Sequence, residues 1–117
     1  MEATYNSPSV RILTINAMNL PEEWENYSFS APYWRLYWNA APGAEVVWKS
    51  NRTPLRPDRL VIIPPDTAFT AKCAHRPRHL YIHFLVGSPL DAALPGVYHR
   101  PVRGDLRQIA AALASGE

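Results

Sequence analysis

Between Arg78 and Val86, two imidazoles and a phenol, His79, Tyr81 and His83, alternate with three apolar side chains, Leu80, Ile82 and Phe84. An extended strand sends successive side chains to opposite faces, so each set of three shares a face. Imidazole and phenol groups donate and accept hydrogen bonds, which is what holds a small polar molecule in a cavity. The same residues do not suit a metal. His79 and His83 are four apart, about 13 Å along a strand, whereas two ligands of one zinc or iron ion must bring their donors within about 4 Å. His75 falls in a loop, and the single Cys73 allows neither a Cys-rich zinc site nor an internal disulfide. It reads as a small buried hydrophobe rather than a nucleophile. No Gly-x-Ser-x-Gly elbow and no Gly-rich phosphate loop occur. Asp58 and Asp66 sit at turns, where Asp bonds its own backbone. These residues point to binding and not to catalysis, with no cofactor.

A second alternating segment, Tyr33-Trp34-Arg35-Leu36-Tyr37-Trp38, puts Tyr33, Arg35 and Tyr37 on one face and Trp34, Leu36 and Trp38 on the other. If this strand lies across from the His79 strand, Arg35 can grip a carboxylate or a pair of sugar hydroxyls. On the alternative reading Arg35 lies at the surface. Trp34, Trp38 and Trp48 either stack on the apolar face of a sugar ring or fill the core.

The elements that would carry these residues are short and broken by turns. Val10 to Ile15 reads as an edge strand or arm. Pro42-Gly43 turns the chain into a strand from Glu45 to Trp48, with a hairpin tip at Ser50-Asn51-Arg52 and a return over Thr53 to Leu55. Pro57-Asp58 precedes Leu60 to Ile63, a β-branched run of the kind buried on both sides, which Pro64-Pro65-Asp66 ends. Thr67 to Lys72 and Val97-Tyr98 are further strands. Asp105 caps a helix from Leu106 to Ala114 whose apolar residues Leu106, Ile109, Ala110 and Leu113 fall at i, i+3, i+4 and i+7. That stripe suits either a second subunit or the chain's own sheet. About six to eight strands with turn signals every 8–12 residues or so describe a sandwich or small barrel.

Composition agrees. The chain has 117 residues, enough for one core, and 47% of them are apolar, which argues against disorder. Twelve prolines favour many short elements. The net charge is +2, and Arg52, Arg56, Arg59, Arg76 and Arg78 are scattered through turns, so no stripe tracks a phosphate backbone. No apolar run approaches the roughly 18 residues of a membrane span, and no basic-then-apolar leader opens the chain. A cytoplasmic protein is expected.

Taken together, Pro57-Asp58-Arg59-Leu60-Val61-Ile62-Ile63-Pro64-Pro65-Asp66-Thr67-Ala68-Phe69 and His79-Leu80-Tyr81-Ile82-His83-Phe84 resemble the ligand-binding domain of AraC-type transcription regulators. The Tyr33 to Asn39 strand and the hairpin after it resemble the same domain, so the likeness spans roughly residues 30 to 90. It implies an all-β, cupin-like double-stranded β-helix (a jelly-roll barrel) with a terminal helix. On this reading 1–20 is an N-terminal arm able to lie over the opening, and 21–103 the effector-sensing barrel. Residues 104–117 begin a dimerisation or linker helix, and the DNA-binding helix-turn-helix domain lies outside this chain. The resemblance places His79 and Tyr81 in the pocket, with His83, Arg35, Tyr37 and Trp38 as further candidates. It implies a sugar-like effector and a homodimer. The cupin enzymes carry a metal-binding His where this chain has Phe69, so a three-His centre is not assembled. A stand-alone cupin enzyme and a metal-free carbohydrate-binding module are the alternatives.

Overall fold

The computed structural model describes residues 9–21, 24, 27–88 and 90–115. Among these, nine antiparallel strands form two sheets, and one helix closes the chain. The strands are β1 (Val10–Asn19), β2 (Tyr27–Phe29), β3 (Trp34–Asn39), β4 (Ala44–Trp48), β5 (Asn51–Leu55), β6 (Arg59–Ile63), β7 (Phe69–Cys73), β8 (Arg78–Val86) and β9 (Tyr98–Pro101), and the helix is α1 (Gly104–Ser115). The five-stranded sheet runs β1-β8-β3-β6-β9 and the four-stranded sheet β2-β7-β4-β5. The expected all-β architecture with a terminal helix is what the chain adopts.

The main core lies between the sheets. Tyr37, Val61 and Ile63 from one meet Ala44, Val46, Leu55, Phe69 and Ala71 from the other, with Leu20 and Trp24 joining them. Turn chemistry fixes how the strands enter it. Asp66 adopts the left-handed conformation (φ 61°) after Pro65, a placement that Asp tolerates at the third position of a tight turn. Its amide donates to the Ala31 carbonyl at 2.8 Å. At the β4–β5 hairpin the tip is Lys49-Ser50 rather than Ser50-Asn51-Arg52. Lys49 takes φ 55°, which tightens the loop to two residues and lets Asn51 pair with Trp48 and Arg52 with Val47. The strand expected from Thr67 begins at Phe69. Strand β2 was not foreseen, because three residues carry no periodicity to read.

Val10 to Ile15 falls in β1, paired with Val86 to Ile82 of β8, and the register slips at Leu13. The strand forms one edge of the larger sheet.

The outer face of the five-stranded sheet is apolar, and α1 covers part of it. Trp38, Leu80 and Val102 pack with Ala110 and Ala114 of the helix, flanked by Ala17 and Leu60. Trp38 donates its indole N–H to the Pro57 carbonyl at 2.9 Å, and Arg78 Nε donates to the Ala114 carbonyl at 2.6 Å, capping the helix end. The helix therefore docks through its two alanines, four apart on one face. Leu106, Ile109 and Leu113 of the expected stripe stay exposed at 46%, 56% and 40%.

Because Trp38 fills this second core, Trp38→Ala is expected to cost about 3–5 kcal/mol in urea unfolding. Trp34→Ala, on the half-buried part of the same face, should cost less.

Candidate functional site

The pairing of β3 with β8 sets Arg35 opposite His83, Tyr37 opposite Tyr81 and Asn39 opposite His79. Directly opposed residues share a face, so these six side chains form one patch, turned inward. β1 adds Met18, which is paired with His79. Met18, Leu20, Trp24, Phe29, Arg35, Tyr37, His79, Tyr81 and His83 line a cavity of about 110 Å³ that is open on one side. Its deep end is fully buried around His79, Tyr37 and Leu20, and its outer end is half-buried at Met18, Tyr81 and His83.

Five of the six sequence candidates, His79, Tyr81, His83, Arg35 and Tyr37, thus border one space. Trp38 does not. It follows Tyr37 on the strand and so points to the opposite face, beneath α1. Its assignment to the site is corrected by that alternation. Trp34 stacks on Phe84 on the outer face, and Trp48 packs at the edge of the main core. Sequence reasoning missed Met18, Leu20, Trp24 and Phe29. Leu20, Trp24 and Phe29 belong to a region without clear periodicity, and they reach the cavity through contacts distant in sequence.

At the deep end, His79 Nδ1 lies 2.6 Å from Asn39 Oδ1. Facing an amide oxygen, that nitrogen carries the proton and donates, which leaves Nε2 as an acceptor. Asn39 Nδ2 is buried without a partner among the described residues. Trp24 and Tyr37 flank the His79 ring at centroid distances of 5.2 and 4.7 Å. Such surroundings cannot solvate a cation. Burial first, and the proximity of His83 second, push the His79 pKa down to about 3. Burial and then the charge of Arg35 hold His83 at about 4. Both rings are therefore neutral at pH 7. Burial raises the Tyr37 phenol above its ordinary value, and the Arg35 charge and hydrogen bond oppose the shift.

Arg35 is buried, with 7% of its surface exposed. Its guanidinium carbon lies 5.1 Å from the centres of the Phe29 and Tyr33 rings and 5.5 Å from that of Phe69. One guanidinium nitrogen donates to Tyr37 Oη at 3.1 Å. Tyr81 Oη accepts from Asn16 Nδ2 at 3.1 Å.

Among the described residues no three His, Cys, Asp or Glu are grouped to hold a metal ion. A larger surface groove, about 580 Å³, runs beside Gly43, Glu45, Lys72, Cys73 and His75. Cys73 donates its thiol proton to the His75 carbonyl at 2.7 Å. The His75 ring packs against Gly43. The inner cavity has the more specific chemistry, because its polar groups are buried and converge. Comparison with protein families, curated proteins and solved structures finds no match to this chain.

The neutral histidines make acid a denaturant. Unfolding restores their pKa to about 6.5, so below that pH the unfolded chain binds protons the fold refuses. Their stabilising contribution is full above about pH 6.5 and is lost as the pH falls toward the folded values of about 3 and 4. For His79 the loss between pH 7 and pH 5 is about 2 kcal/mol. His83 acts in the same direction but more weakly, because water reaches it. Urea unfolding at the two pH values should show this loss, and His79→Gln, which can still donate to Asn39 but does not titrate, should reduce it by about that amount.

Proposed function

We propose that this chain is the small-molecule-sensing domain of an AraC-type transcription regulator, built as a cupin-like jelly-roll barrel. A small polar effector occupies the cavity, and a helix-turn-helix domain outside this chain contacts DNA. The role is non-catalytic and cytoplasmic. Among the described residues no helix is long and apolar enough to cross a membrane.

The observation that carries this reading is the convergence of Arg35, Tyr37, His79, Tyr81 and His83 on one internal space. A core built for stability alone is filled with apolar side chains, since buried polar groups cost free energy unless satisfied. A mostly apolar and aromatic wall with a few convergent polar groups is the usual lining of a ligand site. The sequence resemblance supplies the regulatory context.

The proposed partner is a second copy of the chain. Leu106, Ile109 and Leu113 of α1 are exposed, as are Ile12 and Ile15 on the outer face of the sheet to which the helix is docked. A second copy packed on these residues would remove their apolar surface from water.

Two measurements test this. In a thermal-shift screen of small polar compounds, a ligand specific to the folded state raises Tm, by about 2.7 kcal/mol of stabilisation at a hundredfold excess over Kd. A hit should lose its effect in the His79→Ala/Tyr81→Ala double variant, and a hit that survives the double change places the site elsewhere. For the partner, Leu106→Glu combined with Ile109→Glu should convert a dimer to a monomer in light scattering without altering the circular dichroism of the fold.

A further inference from the structure

Resting on the sensing role proposed above, we infer that the guest of this cavity is a short-chain carboxylate whose carboxyl group docks on Arg35. A buried cation without a counter-ion is expensive, yet Arg35 makes no ion pair with any described residue. Among the described residues the ion pairs join Arg52 to Glu45 and Arg56 and Arg59 to Asp58, all remote from the cavity. The three aromatic rings supply cation–π attraction. They are poor substitutes for hydrogen-bond acceptors, and a guanidinium carries five N–H donors in its plane. Tyr37 Oη takes one of them. The other guanidinium nitrogens are not among the buried atoms left without a partner, which are Asn39 Nδ2 and Arg59 Nε. They border open space instead, the cavity that Arg35 lines.

The other polar groups reinforce the preference for an anion. Tyr37 and Tyr81 each use the phenol oxygen to accept a hydrogen bond, from Arg35 and Asn16 respectively, which leaves both O–H protons to give. The two imidazoles are neutral at pH 7 and do not add to the charge. The space therefore offers one cation and two hydroxyl donors. Guanidinium with a carboxylate is the strongest pairing those donors can make.

Size sets the rest. At about 110 Å³ the cavity is smaller than the roughly 150 Å³ hollow that takes a benzene molecule. A pyranose ring with its hydroxyls is larger than benzene and would extend past this space toward the half-buried mouth at Met18, Tyr81 and His83. An acid of two to four carbons or so fits, and a hydroxyl on it could donate to the free Nε2 of His79.

The test pairs acids with their neutral isosteres at constant ionic strength. Acetate, propionate, lactate and pyruvate are titrated against acetamide, propionamide and lactamide, by calorimetry and by following the His79 and Tyr81 ring resonances in NMR. At least one acid is expected to bind saturably, tenfold or more tighter than its amide, and to shift those resonances. Arg35→Gln should abolish the preference. Should that variant fail to fold, the wild-type comparison stands alone, and Tyr37→Phe, which keeps the charge and removes one donor, should weaken the acid by several-fold. Acids and amides binding alike with the same resonances moving would overturn the carboxylate assignment and leave the sensing role standing, as would an internal acid that already neutralises Arg35. If neither series nor a panel of sugars and polyols moves those resonances, both readings fall. Chloride or phosphate matching the carboxylates also overturns the assignment.

Discussion

The pairing of β3 with β8 governs everything else in this molecule. With Arg35 opposite His83, Tyr37 opposite Tyr81 and Asn39 opposite His79, the polar row of each strand faces the interior and the apolar row faces out. A slip by one residue would exchange the rows. A slip of β8 would turn Leu80 and Ile82 inward and two imidazoles to water, and a slip of β3 would turn Trp34 and Trp38 inward and the Arg35 cation to water. The observed register reverses the usual arrangement of a sheet with one face to solvent. Both faces now need cover: the inner one because it is polar and buried, the outer one because it is apolar and open. Helix α1 answers the second need over Trp38 and Leu80. The aromatic cage around Arg35 and the Asn39–His79 hydrogen bond answer the first.

This arrangement costs stability. A buried imidazole held neutral, an Asn39 Nδ2 without a partner among the described residues and a buried guanidinium without a counter-ion among them are each less favourable than a leucine of similar volume. An unsatisfied buried donor alone costs about 1–3 kcal/mol. Natural folds retain such groups where they serve a site, and His79, Asn39 and Arg35 lie together, whereas Arg59 Nε, the other buried donor without a partner among the described residues, lies apart. The remainder of the interior, Val46, Val61, Ile63, Leu55 and Ala71, is conventional close-packed hydrocarbon and offsets the expense.

Much of this was legible in the sequence, and the limits have physical causes. Period-two alternation marked β3 and β8 and sorted their side chains into two sets, because the pleat makes that geometry unavoidable. It also set Trp38 apart from Arg35 and Tyr37, so grouping that indole with the site contradicted the pattern. Alternation does not by itself say which set faces in, and the polar set's inward position follows from the pairing of both strands with neighbours far along the chain. Trp24 and Phe29 were invisible for the same reason: contacts across tens of residues, not local propensity, bring them to His79 and Arg35. The helix showed its apolar stripe at 3.6-residue spacing. That Ala110 and Ala114, and not the larger leucines, face the sheet follows from how closely its backbone can approach Trp38.

The proposed sensing role requires that occupancy of the cavity be felt outside it, and a ligand can shift only an equilibrium between arrangements it binds unequally. The strands supply a short path. A single layer of sheet separates the cavity from α1, and neighbouring residues on it touch both: Met18 borders the cavity and Ala17 the helix, Tyr37 the cavity and Trp38 the helix, His79 the cavity and Leu80 the helix. Arg78, one residue from His79, bonds the last turn of α1 directly. An ångström of adjustment in β8 as an anion settles on Arg35 would therefore reach the seat of the helix, which rests on the sheet through two alanines and a terminal hydrogen bond. The helix is also the part that carries the exposed face proposed to meet a second copy.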